Sequence, residues 1–267
     1  MRVAHLSDLH LGADEPAVVA GLRADLPAQR VDQVLVSGDL TQRARAAQFR
    51  RARALLDDLG VPWLSVPGNH DLPLDRVVTR QVRPVTAYRR LVDADTEPCR
   101  ARDGLLVLGL STARRYYWKG GRIDRAQVDR IGTALAPYAE LKILMVHHPV
   151  FMSAQRPNEQ IVRGADRALR AAAAVGVDVV LCGHDHVQAH VDLSSSRPYL
   201  GRHMLGIMAG TATSHRVRAN ESQSYNVLDL QGDRLTLEVR QWRDGKFDKL
   251  STTAWTRTPS GWLAAGQ

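Results

Sequence analysis

Five apolar runs along the chain end abruptly in clusters of Asp, His or Asn. They close as Asp8-Leu9-His10, Gly38-Asp39, Gly68-Asn69-His70-Asp71, His147-His148-Pro149 and Gly183-His184-Asp185-His186. Carboxylate, amide and imidazole donors together form a mixed oxygen/nitrogen set, which suits Mn, Fe, Zn, Co or Ni better than Ca or Mg alone. Residues i and i+2 of an extended segment share a side, so Asp8 and His10 are expected to reach one ion. His184 and His186 repeat that spacing. Asp39 follows Gly38, which permits a tight turn, and a carboxylate so placed can bridge two ions through its two oxygens. Asn69 adds a neutral carbonyl oxygen and His147 an imidazole. Two ions about 3.5–4 Å apart clamp the attacking and leaving oxygens of an in-line displacement at phosphorus, and a metal-bridging hydroxide is the nucleophile.

Such clusters must sit on strand ends. Short strands are expected at 3–6, 34–37, 63–66, 105–110, 143–146 and 177–181, with helices at 13–26, 43–59, 124–135 and 164–175. In the second helix Phe49, Ala52, Leu55, Leu56 and Leu59 keep i, i+3, i+4 spacing, and the Arg43, Arg45, Arg50, Arg51 and Arg53 face reads as solvated. Residues 73–100 contain Pro73, Pro84 and Pro98 and read as a helical excursion over the site. Strand and helix thus alternate, which implies a layered, largely parallel sheet. After Val187 the pattern changes to consecutive β segments at 187–193, 204–209, 225–230 and 234–242, with Gln231-Gly232-Asp233 as a hairpin turn. No linker or repeat is visible. One domain over 1–243 is expected, followed by a polar, partly ordered tail over 244–267.

Composition limits the alternatives. The 267 residues are 44% hydrophobic but only 5% aromatic, so Ala, Val and Leu must build the core. Cys99 and Cys182 are too few for a disulfide framework or a thiolate site. A cleaved leader would remove Asp8 and His10, and no apolar stretch approaches the ~20 residues of a membrane span. The expectation is a cytoplasmic protein without a transmembrane segment, with peripheral membrane contact left open. The formal charge of +8 comes mostly from Arg. Because the arginines are spread along the chain, nucleic-acid binding is not the favoured reading of that charge.

The five motifs, in this order over residues 3–186, resemble those of the calcineurin-like metallophosphoesterase family. The resemblance implies an α/β fold of four layers, αββα, with two mixed sheets flanked by helices. It places Asp8, His10, Asp39 and His186 around one divalent metal ion, and Asp39, Asn69, His147 and His184 around a second, with Mn and/or Fe the first candidates. It gives His70 the role of stabilising the phosphoryl group or protonating the leaving oxygen, and Asp71 that of orienting His70. Within the family, the Gly-Asn-His-Asp motif and the stretch from Leu110 to Gln127 are most similar to bacterial class III cyclic nucleotide phosphodiesterases. Here Leu110-Ser111-Thr112 stands where those enzymes often carry Leu-Asp-Ser.

Several neighbours are candidate substrate contacts. His148 follows the ligand His147, and His215 lies in the polar loop Gly210-Thr211-Ala212-Thr213-Ser214-His215. In Arg114-Arg115-Tyr116-Tyr117-Trp118-Lys119, cations interleave with aromatics, a pattern that can stack a base and pair with phosphate. Asp185, by alternation, is expected to point away, and His5 reads as a sheet histidine. The leading expectation is a phosphodiesterase acting on small phosphorylated substrates, cyclic nucleotides among them. The alternatives are a UDP-sugar-lipid pyrophosphatase of the lipid A synthesis type, whose relatives commonly carry Arg in place of His70, and a nuclease or nucleic-acid-binding protein. The chain is also compatible with a homodimer.

Overall fold

The central strands of this protein bury both of their faces, and alternation along each strand decides which layer each side chain joins. A computed structural model describes residues 1–158, 160–218 and 220–265. The chain begins with β1 (Arg2–Leu6), α1 (Pro16–Ala28), β2 (Gln33–Val36), α2 (Ala46–Asp58) and β3 (Trp63–Ser65). Two short helices follow, α3 (Val77–Val82) and α4 (Thr86–Leu91), then β4 (Cys99–Arg102) and β5 (Leu105–Leu110). Next come α5 (Arg125–Ala134), β6 (Leu141–Val146), α6 (Ala165–Ala174), β7 (Val179–Cys182), β8 (Ala189–Asp192) and β9 (Leu205–Met208). The chain closes with β10 (Ser224–Gln231), β11 (Arg234–Arg243), β12 (Lys246–Thr258) and β13 (Gly261–Ala264).

Two sheets result, ordered β13-β12-β11-β10-β1-β2-β3 and β4-β5-β6-β7-β9-β8. In the first, β1, β2 and β3 are parallel, and β10 joins β1 antiparallel through Arg2↔Asp229 to His5↔Asn226. In the second, β5, β6, β7 and β9 are parallel. Alternate residues of β5 show the layering. Leu105 and Val107 join an apolar layer between the sheets, whereas Leu106, Leu108 and Leu110 face the layer beneath α5 and α6. On the other side, Ala4 and Leu6 pack outward with Leu22 of α1 and Phe49 of α2. The layers are therefore αββα, as the resemblance implied. Each fully buried aliphatic in them contributes ~1.5–3 kcal/mol relative to exposure.

The α2 apolar face is buried at Phe49, Ala52, Leu55 and Leu56, and its arginine face is exposed. Arg51 pairs with Asp14 at 2.6 Å and Arg53 with Asp57 at 3.2 Å. The stretch beyond Asp244, read from sequence as a tail, runs as two strands hydrogen-bonded into the first sheet through Leu235↔Trp255 and Trp255↔Ala264. Its polar look came from β12, in which Phe247 and Trp255 are the buried residues. Trp255 and Trp262 face the inter-sheet layer, and the Trp262 indole donates to Asp178 at 2.9 Å. Among the described residues, no helix is long and apolar enough to cross a membrane.

Candidate metal centre

All five motifs lie just past the carboxyl ends of parallel strands, the place where open α/β sheets bind ligands. Asp8 and His10 follow β1, Asp39 follows β2, and Asn69 to Asp71 come after β3. From the second sheet, His147 and His148 leave β6, and His184 and His186 leave β7. The convergence is not reached by extended backbone, however. Asp8, His10, Asp39, His184 and His186 have φ of 53°, 47°, 52°, 75° and 58°, all in the left-handed region. That conformation costs ~1–2 kcal/mol per residue and persists only where surrounding bonds over-determine it. Here they do. The Asp8 amide donates to Gly38 O at 3.0 Å and the His10 amide to Asp39 O at 2.9 Å. Thr211 Oγ donates to Asp8 O at 2.6 Å and Thr213 Oγ to Leu9 O at 2.7 Å.

The two carboxylates share one design. Asp8 Oδ2 is pinned by Ser7 Oγ at 2.6 Å and the His184 amide at 2.9 Å. This leaves Oδ1 3.2 Å from His186 Nε2 and 3.6 Å from His10 Nε2. Asp39 Oδ1 accepts from the His70 amide at 2.8 Å, leaving Oδ2 3.6 Å from His10 Nε2 and 3.4 Å from His147 Nε2. On the far side of His147, Nε2 lies 3.2 Å from Asn69 Oδ1 and 3.3 Å from His184 Nδ1. Asp39 Oδ2 thus faces one imidazole of each group.

The histidine rings are held from behind. His147 Nδ1–H donates to Ser37 O at 2.8 Å and His186 Nδ1–H to Arg216 O at 2.5 Å, which turns each Nε2 toward the cluster. Ser37 Oγ meets His5 Nε2 at 2.9 Å, which makes His5 the satisfied sheet histidine expected. Four groups of three, Asp8-His10-His186, Asp8-Asp39-His147, His10-Asp39-His70 and His147-His148-His184, each bring ligand atoms within 4.8 Å of one another. Asp8 Oδ1 has no hydrogen-bond donor of its own. Carboxylate and amide oxygens crowded together with imidazole nitrogens are a donor set that a cation satisfies, so the residues fit a pair of divalent ions.

Electrostatics follow from burial and proximity. Burial opposes charge on Asp39, but His147 and His70 outweigh it and hold the carboxyl well below the usual range. Burial drops His10 to about 4 and, with His147, drops His184 to about 3, so both are neutral. His147 is different: burial lowers it, yet the Asp39 carboxylate lifts it to about 9. The metal-free protein therefore carries an imidazolium at His147 at pH 7. Metal binding at pH 7 is expected to release about one proton, and affinity is expected to fall about tenfold per pH unit below 9 on this account. Calorimetry in buffers of different ionisation enthalpy measures the release; a proton-free titration contradicts it.

Gly38 and Gly68 let the loops approach. Gly38 has φ of 104°, and a Cβ there would meet His147 Nδ1 at 2.6 Å. At Gly68 it would meet Asp39 Oδ1 at 2.1 Å. Gly38→Ala is expected to lower thermal stability by ~1–2 kcal/mol from backbone strain alone and to displace His147. Metal content and melting temperature, measured together, check both effects.

The structure relocates other residues. Asp71, expected to orient His70, does not touch its ring: its carboxylate accepts from the amides of Gly68, Leu40 and Thr41 at 3.0, 3.1 and 2.9 Å. It braces the loop after β2 against the loop after β3, and burial with the Asp39 charge pushes its carboxyl up to about 7. The His70 ring is instead aimed by Gln42, whose carbonyl accepts from Nδ1 at 2.9 Å. Arg216 Nη1 stands 3.3 Å from His70 Nε2. His148 packs beside His184 with ring centroids 4.7 Å apart, and its Nδ1 lies 2.7 Å from Thr112 Oγ.

Arg114, Arg115, Tyr116 and His215 are not brought to the cluster among the described contacts. Arg114 is drawn away by Asp124 at 3.2 Å and Gln127 at 2.5 Å, at the start of α5. Arg115 donates to Gln81 O at 2.9 Å and lies 4.6 Å from the exposed Tyr116 ring. His215 is exposed, and its amide donates to Ala13 O. The segment meets the centre further on, where Trp118 O accepts from Asn69 Nδ2 at 3.3 Å. Sequence reasoning missed Arg216, Gln42 and Thr112. The first was one residue from His215, but no spacing marks any of them, because they arrive from separate loops.

A sequence profile described as calcineurin-like phosphoesterase matches residues 1–188. The chain is similar to a probable cyclic nucleotide phosphodiesterase of Synechococcus sp., 27% identical over 214 residues, which cover 75% of this chain and 79% of that protein. It also resembles glycerophosphodiester phosphodiesterase GpdQ of Enterobacter lignolyticus, 34% identical over 87 residues, or 27% of this chain and 30% of that one. In fold it is similar to purple acid phosphatase PPD1 of yellow lupin, with a TM-score of 0.70 at 13% identity over 94% of this chain. The chain spans about half of that plant protein, 53% of its length. A dimetal phosphatase of Danio rerio superposes with a TM-score of 0.65 at 15% identity, covering 94% and 98% of the two chains.

Proposed function

This chain belongs to the calcineurin-like phosphoesterase family, and on that premise we propose that it is a two-metal phosphodiesterase of small diesters, cyclic nucleotides in the first place. One observation carries the reading: Asp39 Oδ2 faces His10 Nε2 at 3.6 Å and His147 Nε2 at 3.4 Å, each in its own group of donors. Asp8, His10 and His186 with Asp39 would hold one ion, and Asn69, His147 and His184 with Asp39 the other, Mn or Fe by donor type. When bound, such a pair supplies a nucleophilic hydroxide at neutral pH and clamps the oxygens of an in-line displacement.

The chain's own groups do the rest. Gln42 O holds the His70 Nδ1 proton, which leaves Nε2 as the atom that exchanges a proton with the leaving oxygen. Arg216, beside it, offers a guanidinium to the charge that develops on the phosphoryl oxygens. Asp71 keeps the two loops in register, so that His70 and Asp39 stay together. Relatives named for cyclic nucleotides and for glycerophosphodiesters support diesters as the substrate class.

Metal-stripped protein is expected to regain hydrolysis of bis(p-nitrophenyl) phosphate by about 100-fold or more on adding Mn. Cyclic AMP and glycerophosphocholine, compared in the same assay, rank the natural diesters. Failure of every transition metal to restore hydrolysis sinks the proposal.

A further inference from the structure

The basic charge of this protein is not evenly spread once it is placed on the fold. Residues 76–90 and 113–122 hold nine cations, among them Arg76, Arg83, Arg89, Arg90, Arg115 and Lys119, and no acid. The whole chain is +8, so with +9 in these two segments the remainder nets −1. The segments are α3 with α4 up to Arg90, and the loop that reaches the candidate metal centre at Trp118.

Arg80 makes them one surface. Its buried guanidinium meets no carboxylate among the described residues and donates to the carbonyls of Arg115 at 3.0 Å, Arg114 at 3.3 Å and Tyr117 at 2.7 Å. It also lies 4.7 Å from the Trp118 ring centroid. Around this clamp the apolar side chains are turned out. Val77, Val78, Val82, Tyr116 and Trp118 are 55%, 77%, 69%, 67% and 47% exposed, and they are five of the ten large exposed hydrophobics among the described residues. Behind α3, a cleft is lined by Arg50, Arg76, Arg83 and Arg90.

Exposed apolar clusters of this kind mark interaction sites. We infer that α3 and the 114–119 loop form a docking face for an anionic phospholipid surface. Three outward valines have no use against a nucleic-acid backbone, whereas they can enter the acyl boundary. Tyr and Trp suit the interface between headgroups and acyl chains, and the ring of arginines meets anionic headgroups. With +9 in these two segments, and Arg114 paired to Asp124 at 3.2 Å, this face draws anionic headgroups more strongly than the rest of the chain, and it sets the candidate metal centre beside the bilayer.

The test is flotation of the full chain with phosphatidylcholine vesicles, alone or with about 30% phosphatidylglycerol. Binding is expected with the anionic vesicles only, about tenfold or more above the neutral ones. Val78→Asp combined with Val82→Asp is expected to lose that binding about tenfold, with hydrolysis of the soluble aryl diester unchanged, which also reports that the variant is folded. No flotation with anionic vesicles, or flotation that survives the valine variant, overturns the inference. So does tighter binding to a single-stranded oligonucleotide than to the vesicles.

Discussion

Asp39→Ala is expected to release both metal ions and to lower turnover of an aryl phosphodiester by about 10³-fold or more, because nucleophile and charge clamp are lost together. The reason is geometric. Asp39 Oδ2 faces both groups, His10 Nε2 at 3.6 Å and His147 Nε2 at 3.4 Å. Its other oxygen holds the His70 amide at 2.8 Å, so the variant loosens the loop after β3 as well. The fold has a reserve against this change. Asp71 is pushed up to about 7 by burial and by the Asp39 charge, so losing that charge lets Asp71 ionise more readily and keep its grip on Gly68, Leu40 and Thr41. Asn69→Ala makes the contrast. Asn69 Oδ1 reaches only His147, at 3.2 Å, so one ion is expected to weaken while the other stays. Metal analysis after gel filtration reads both variants, and an Asp39→Ala protein that keeps one tightly bound ion contradicts the bridging role.

The second large effect is expected at His70. His70→Ala should leave both ions in place and lower kcat by about 10²–10⁴-fold, the range for a positioned acid or base. Its backbone amide, which the substitution preserves, still holds Asp39 Oδ1. Only the ring is lost, together with the Nε2 that Arg216 approaches at 3.3 Å. Equal loss of kcat with diesters of good and poor leaving groups contradicts proton donation, since a good leaving group needs no acid. Loss of a metal ion contradicts the role altogether.

Much of this site was visible in the chain because each motif is local. Asp8 and His10, Asp39, Asn69 and His70, His147, and His184 and His186 each stand within a few residues of an apolar run that could only be a buried strand. The layered fold was legible for the same reason, since β5 reads as an uninterrupted apolar segment and β6 as one interrupted only by Lys142. Boundaries and side-chain directions were less so. Period-two alternation suggested that Asp8 and His10 would share a side as extended residues, but both adopt left-handed backbone beyond the end of β1. The segment after Asp244 looked polar because β12 exposes most of its residues, with Phe247 and Trp255 buried.

Sequence alone determined the donor types, their order and the strands that carry them, because these depend on residue identity and short-range pattern. Tertiary structure decided which donors meet and what supports them. Arg216, Gln42 and Thr211 come from loops far apart in the chain, and no local rule couples them to His186, His70 or Asp8. It also decided that Asp71 serves the backbone rather than His70, since three amides converge on it from two different strands' ends. Finally, it joined α3 to the 114–119 loop through the buried Arg80, three of whose partners are backbone carbonyls more than thirty residues away, with separations of 34, 35 and 37. Carbonyl groups are the same at every residue, so nothing in the side-chain sequence could have announced that clamp.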